Sequence, residues 1–311
     1  MNFTYKQIWL INFPVMMSLL MEQLINLTDT IFLGHVGEVE LGASALAGMY
    51  YIAIYMLGFG FSLGLQVMIA RRNGERNLQK TGETFWQGMF FLITLSILTF
   101  TFSKLFSPTL LRTVISSDQI YLAVIQYISW RDYSFLSVFP ILAYRAFYVG
   151  TTKTRVLTIN SILLVTTNTL LNYLLIFGVG GFPRLGIAGA AIASSVAEAV
   201  ALIYLVTYTH FKVDKKKYGW RCSFNFPLLR QLFQLSSWTM IRSFFCIAPW
   251  FLFFIAIEHL GERQLAAGNV VRSVSVILFV IVNSFATTGI SLVSNLIGAG
   301  QTESVMPVCW K

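Results

Sequence analysis

The sequence predicts an all-α polytopic membrane protein. It reads as about eight transmembrane helices: a complete six-helix N-lobe, then the first two helices of a second lobe that repeats the first in parallel. Three observations carry that expectation. Of 311 residues, 56% are hydrophobic and 11% charged, against about 25% charged in an average soluble domain. Eight apolar stretches are each long enough to cross a bilayer as a helix, which takes about 20 residues. Finally, HVGEVELGA at 35–43 returns as HLGERQLAA at 259–267, an offset of 224.

The first stretch, roughly 8–33, is too long for the apolar core of a signal peptide. No small-residue cleavage site follows it, so it is read as a retained helix. The next five run over roughly 44–70, 84–105, 121–144, 156–178 and 187–209. The last two cover roughly 231–258 and 264–297, the eighth being long enough to tilt or to pass beyond the bilayer. Backbone polar groups in lipid need internal partners, and the runs lack the alternation of a barrel, so each is a helix.

The repeat sets the organisation. Carried back, the same offset sets WLINFPVMM (9–17) against FQLSSWTMI (233–241); carried forward, it pairs Gly74 with Gly298. Both copies start from one side of the membrane, so they are parallel repeats about an axis along the membrane normal. Residues 1–209 are the expected N-lobe, 210–230 a basic cytoplasmic linker and 231–311 a partial C-lobe. A full second lobe needs about four more helices, so the expectation is a C-terminally truncated chain or one completed from elsewhere.

Charge gives orientation. With the N-terminus inside, the inner connections hold fourteen Lys and Arg: Lys6, Arg71, Arg72, Arg76, Lys80, Arg145, Lys153, Arg155, Lys212, Lys215, Lys216, Lys217, Arg221 and Arg230. The outer ones hold four, Lys104, Arg112, Arg184 and Arg263. This bias places the N-terminus in the cytoplasm and the chain in the inner membrane. The run KVDKKKYGW (212–220) is read as a solvated linker, with contact to anionic headgroups as the alternative. A net charge of +9 has no aqueous face on which to bind nucleic acid. Cys222, Cys246 and Cys309 lie far apart without CxxC pairing, so no disulfide or zinc framework is expected. His35 and His259 are read as a loop signature rather than as metal ligands, and no nucleophile–base or metal spacing indicates an enzyme.

The informative residues are polar groups inside the apolar runs. A charged Asp at mid-membrane costs about 2.5–3.5 kcal/mol on insertion scales, so Asp29 in INLTDTIFLG asks for a function: ion or proton coupling, or reach to the outer headgroups. Ser18, Glu22, Asn26 and Asp29 are spaced to form one stripe. Glu22 is deeper still, either sharing protonation with Asp29 or making a structural hydrogen bond. A matching stripe on the fifth segment holds Ser161, Asn168 and Asn172, whose amide oxygens suit a cation or whose amides glue helices together. Ser194 and Glu198 on the sixth segment sit among small residues that favour close packing, with Glu198 toward the cytoplasm as a gate or pairing residue. Arg242, Arg272 and Asn283 lie in the second half; the arginines either snorkel, pair with Glu22 or Asp29, or are structural. Asn26, Ser194, Glu198, Arg272 and Asn283 are the expected substrate-cleft residues.

NFPVM, NLTDTIFLGHVGEVELGA, IARRNGERN, AYRAFYVGTTKTR, NTLLNYLLIFG, PRLGIAGAAIA and LGERQLAAGNV resemble, in order and spacing, the multidrug and toxic compound extrusion (MATE) family. The resemblance spans 1–311, about the first two-thirds of a member. It implies two six-helix lobes around a cleft open to one face at a time. It also implies export of small cationic amphipathic compounds in exchange for Na⁺ or H⁺, with no cofactor and a monomer in membrane lipid. The family's DT aspartate falls on Asp29 and its helix 5 polar pair on Asn168 and Asn172. A second helix 5 aspartate of some archaeal-type members is Asn172 here. A helix 7 acid of some bacterial members is Cys246, and Glu22 is its symmetry counterpart. The expected coupling residues are therefore Asp29, Glu22, Asn168 and Asn172. The alternatives are a lipid-linked oligosaccharide flippase of the same superfamily, which needs a cationic cleft, and a non-transporting fragment that confers no drug resistance.

Overall fold

The computed structural model describes residues 4–220 and 222–310 and is helical throughout its long elements. They are α1 (Tyr5–Gly34), α2 (Glu38–Gly74), α3 (Leu78–Val114), α4 (Asp118–Arg131), α5 (Phe135–Gly150), α6 (Arg155–Phe177), α7 (Ile187–Lys212), α8 (Phe226–Glu258), α9 (Glu262–Gly298) and the short α10 (Val305–Cys309). Among the described residues seven helices are long and apolar enough to cross a membrane. The chain is a multi-pass membrane protein.

The sequence expectation of eight spans needs one correction, in the fourth. The fourth crossing is divided into α4 and α5 by a 3₁₀ turn over Asp132–Ser134, and neither half reaches bilayer length alone. The eighth runs as one helix from Glu262 to Gly298. Helices α2 and α3 also extend well past their apolar windows, because their flanks carry helix formers and start signals. Asn77 caps α3 by accepting from the Lys80 amide, and acidic Glu38 and Glu40 open α2.

The repeat is visible in the helix ends. α1 and α8 stop at Gly34 and Glu258, α2 and α9 start at Glu38 and Glu262 and stop at Gly74 and Gly298, all 224 apart. His35 and His259 each turn Nδ1 to the carbonyl four residues back, Ile31 at 2.7 Å and Ile255 at 2.9 Å.

Small residues on α2 (Gly42, Ala43, Ala45, Ala47, Gly60, Gly64) are buried and let α8 and α9 lie directly against it. α1 lies between α6 and α9, and α6 packs on α7. One apolar cluster centres on Phe61, Leu65, Phe85, Phe139 and Phe147, the other on Leu33, Leu46, Ile128, Phe254 and Leu265.

The connection between α7 and α8 covers 213–225 and is not simply solvated. Lys215, Lys216 and Lys217 are exposed, but Tyr218 is buried and Trp220 stacks on Phe85 at 4.6 Å.

Candidate functional site

Helices α1 and α6 run parallel and meet at one constant register. Thr154 Oγ1 donates to the Ile11 carbonyl (3.2 Å), Ser161 Oγ to Ser18 Oγ (2.7 Å) and Asn172 Nδ2 to Asp29 Oδ1 (2.5 Å), each pair 143 residues apart. The steps along each helix are 7 and 11, two and three turns, so the same faces stay opposed along the whole pair. Ser18 and Asp29 of one polar stripe thus face Ser161 and Asn172 of the other across one seam.

At the end of that seam the polar groups converge. Asn172 Nδ2 also donates to Asn168 Oδ1 (3.0 Å), Asn168 Nδ2 to Ser194 Oγ (3.0 Å), and Ser194 Oγ to Asp29 Oδ2 (3.4 Å). The ring closes through α1, α6 and α7. Asn168 and Asn172 are fully buried and Ser194 nearly so, whereas Asp29 keeps partial access. Asn172 Oδ1 is buried without a hydrogen-bond partner, an acceptor beside a carboxylate in an otherwise satisfied ring. An all-oxygen set of this kind suits a proton or a hard monovalent cation.

Other expected residues lie elsewhere. Glu22 is two turns from Asp29 along α1, about 10 Å by helix rise, and pairs with Arg145 Nη1 at 3.0 Å. Arg145, counted above as a residue of an inner connection, is inside α5 and buried. Asn26 Nδ2 donates within its own helix to Gln23 (3.2 Å). Glu198 is one turn from Ser194 on α7 and pairs with Arg131 Nη2 at 2.8 Å.

The second-half residues do not join the ring. Arg272 bonds Asn269 (2.8 Å) and lies over the Phe254 ring, and the Asn283 carbonyl accepts from Thr287 (2.9 Å). Arg242 is exposed. The arginines that meet the acids are therefore Arg131 and Arg145 rather than those of α8 and α9.

Arg131 and its surroundings escaped the sequence reading. Its guanidinium sits 4.2 Å from the Tyr51 ring and donates to Ser134 Oγ (3.1 Å), which the Tyr51 hydroxyl also meets at 2.9 Å. The available signal was the Arg131–Asp132 pair inside a run taken as one apolar crossing. Asp132 is buried in the 3₁₀ turn, accepting from Ser103 (2.7 Å). No group of metal-ligating His, Cys, Asp and Glu occurs among the described residues.

The MatE family model matches residues 14–174, just over half of the chain, and takes in Asp29, Arg131, Asn168 and Asn172. A probable multidrug resistance protein NorM of Agrobacterium fabrum is 24% identical over 281 residues, covering 89% of this chain and 60% of that protein. Another from Photorhabdus laumondii is 25% identical over 305 residues, with 94% and 65% covered. The chain thus spans less than two-thirds of the length of these relatives. Among solved structures, the eukaryotic MATE transporter AtDTX14 superposes with a TM-score of 0.84 at 18% identity, covering 98% of this chain and 68% of that one. An outward-facing MATE family multidrug resistance transporter gives 0.85 at 18% identity, with 97% and 67% covered. These likenesses show a shared fold, and with the family match over more than half its length the chain belongs to the MatE family.

Proposed function

We propose that this chain is the cation-coupling part of a secondary antiporter that exports small cationic amphipathic compounds in exchange for Na⁺ or H⁺, by alternating access, in the inner membrane with its N-terminus cytoplasmic. The observation that carries the reading is the buried oxygen ring: the Asp29 carboxylate held by Asn172 and Ser194, with the Asn172 carbonyl oxygen unpartnered beside it. A carboxylate in that setting attracts one positive charge and binds organic cation and coupling ion alternately. At an effective dielectric near 20, unit charges about 4 Å apart attract by about 4 kcal/mol. Neutralising Asp29 then weakens an organic cation by up to about a thousandfold, which lets the inward ion gradient expel it. Names of the relatives, multidrug resistance proteins, agree in substrate class.

The flippase reading has less support. That reading needs Arg242 and Arg272 as a cationic pair, but Arg242 is exposed and Arg272 is engaged by Asn269 and the Phe254 ring, while Arg131 and Arg145 each already hold a carboxylate.

The test is Asp29→Asn in the purified 311-residue chain. Equilibrium binding of radioactive Na⁺ and proton uptake on acidification are both measured, in the presence and absence of a monovalent organic cation. Loss of one bound cation, and of its competition with the organic cation, is expected. Unchanged binding by both measures rejects the role of Asp29.

A further inference from the structure

Beyond the oxygen ring, the six-helix side buries further acids, Asp132 in the turn after α4 and Glu198 on α7. Glu198 lies one turn from Ser194 on α7, and its side chain is 12% exposed. Arg131 approaches it with one nitrogen only, Nη2 to Oε1 at 2.8 Å, while Nη1 is spent on Ser134. Oε2 of Glu198 is buried outside direct hydrogen-bond geometry, with the Tyr51 hydroxyl, which also meets Ser134 Oγ, as its neighbouring neutral donor. The guanidinium is fixed in that place by the Tyr51 face at 4.2 Å and by the turn at 132–134 that ends α4. It is also within electrostatic reach of Asp29.

A neighbouring pair repeats the pattern. Glu22 on α1 is held by Arg145 on α5, again through a single Nη1 contact of 3.0 Å. The charged groups on this side are then Asp29 and Glu22 from α1, Arg131 from α4, Asp132 from the turn after it with Lys104 of α3 at 3.8 Å, Arg145 from α5 and Glu198 from α7. Tyr51 and Tyr55 of α2 stand among them. From α9, Arg272 is within reach of Tyr127, which is itself within reach of Asp29. Two acids have a resident arginine; Asp29 has only neutral donors.

We infer that Arg131 is a resident counter-ion that withdraws Glu198 from ion binding, so that the N-lobe takes up one monovalent cation at a time, at Asp29. This inference rests on the reading of Asp29 given above and adds a rule of stoichiometry. Fixing one guanidinium on Glu198 leaves a single mobile charge to be exchanged and matches the site to monocations. Removing the guanidinium leaves a buried acid without its counter-charge, which becomes a second cation site. Removing the acid instead leaves an unpaired guanidinium within electrostatic reach of Asp29, which opposes any cation there.

The experiment uses the full 311-residue chain, with radioactive Na⁺ and proton uptake as parallel probes. Arg131→Gln is expected to raise the cation count from one to two by one of the probes. Arg131→Gln with Glu198→Gln returns it to one, and Arg131→Lys stays at one. Should Arg131→Gln fail to fold, Glu198→Gln decides: it is expected to weaken cation binding at Asp29 by about tenfold or more through the freed guanidinium, and the double variant restores it. A count of one in folded Arg131→Gln by both probes overturns the proposal, as does unchanged affinity in Glu198→Gln. Failure of the Asp29 reading shows separately, as a cation count that Asp29→Asn leaves unaltered while the Arg131 and Glu198 variants still change it.

Discussion

Asp29 and its neighbours differ in how much each hydrogen bond does. The Asn172 amide meets Oδ1 at 2.5 Å and the Ser194 hydroxyl meets Oδ2 at 3.4 Å. Hydrogen bonds to charged groups contribute about 1.5–3 kcal/mol and weaken steeply with distance. Asn172→Ala also removes the buried Oδ1, so it is expected to lower cation affinity by about tenfold or more, read by titration calorimetry of the purified chain. Ser194→Ala is expected to cost less than about threefold. Equal losses at the two positions contradict the geometry. At this scale the sequence revealed the residue types and their phases: Asp29, Asn168 and Asn172 stood out because polar atoms in lipid are rare. It could not reveal the partners of Glu22 and Glu198. Arg145 looked like part of a basic connection, and Arg131 was hidden inside an apolar window whose average swamps one charge.

Among the elements, helices α2 and α9 illustrate what a repeat dictates. Gly74 lies against Asn295 and Gly298 against Arg71, and a Cβ on either glycine would stand 2.1 Å from the carbonyl oxygen opposite. Gly74 and Gly298 are repeat mates, as are Arg71 and Asn295, so the crossing is symmetric about the lobe axis. Asn73 Nδ2 to Asn295 Oδ1 (2.7 Å) and Gln66 Nε2 to Ser291 Oγ (2.8 Å) continue the contact along the pair. Gly74→Val must push the helices apart and is expected to destabilise the chain by about 1–3 kcal/mol, measured as a lowered melting temperature in detergent. The mate substitution Gly298→Val should match it, and an unshifted melt for either argues against this crossing. The pairing of these glycines was legible as an offset in the sequence. Their contact was not, because periodicity fixes phase along a helix but says nothing of which helix opposes it. The break in the fourth crossing was equally silent: no glycine or proline marks 132–134, and the turn is held by tertiary bonds from Ser103 and Tyr51.

For the whole molecule, the two repeats are bridged at both ends. At one end stands the glycine crossing of α2 and α9. At the other, Glu258 at the end of α8 reaches the start of α4 and accepts the Ser117 amide at 3.1 Å and the Ser116 amide at 3.4 Å. Its side chain is only 1% exposed. The proposed alternating access requires one bridge to open while the other holds, and the two are built differently. The glycine crossing depends on backbone contact over a helix length; at the other end the tie is made by side chains, the Glu258 carboxylate on two amides beside Phe254 and Leu265 in the apolar cluster. The second is therefore the easier to release. In the proposed orientation it lies on the outer side, so Glu258→Ala should loosen that end alone. The expected result is faster hydrogen exchange of the 116–118 amides, by about tenfold to a hundredfold for a lost charge-assisted bond, with exchange around 71–74 unchanged. Glu258→Gln, which retains an acceptor, should fall between the two. Acceleration at both ends would mean that the repeats separate as one body, and the bridges would not be independent gates.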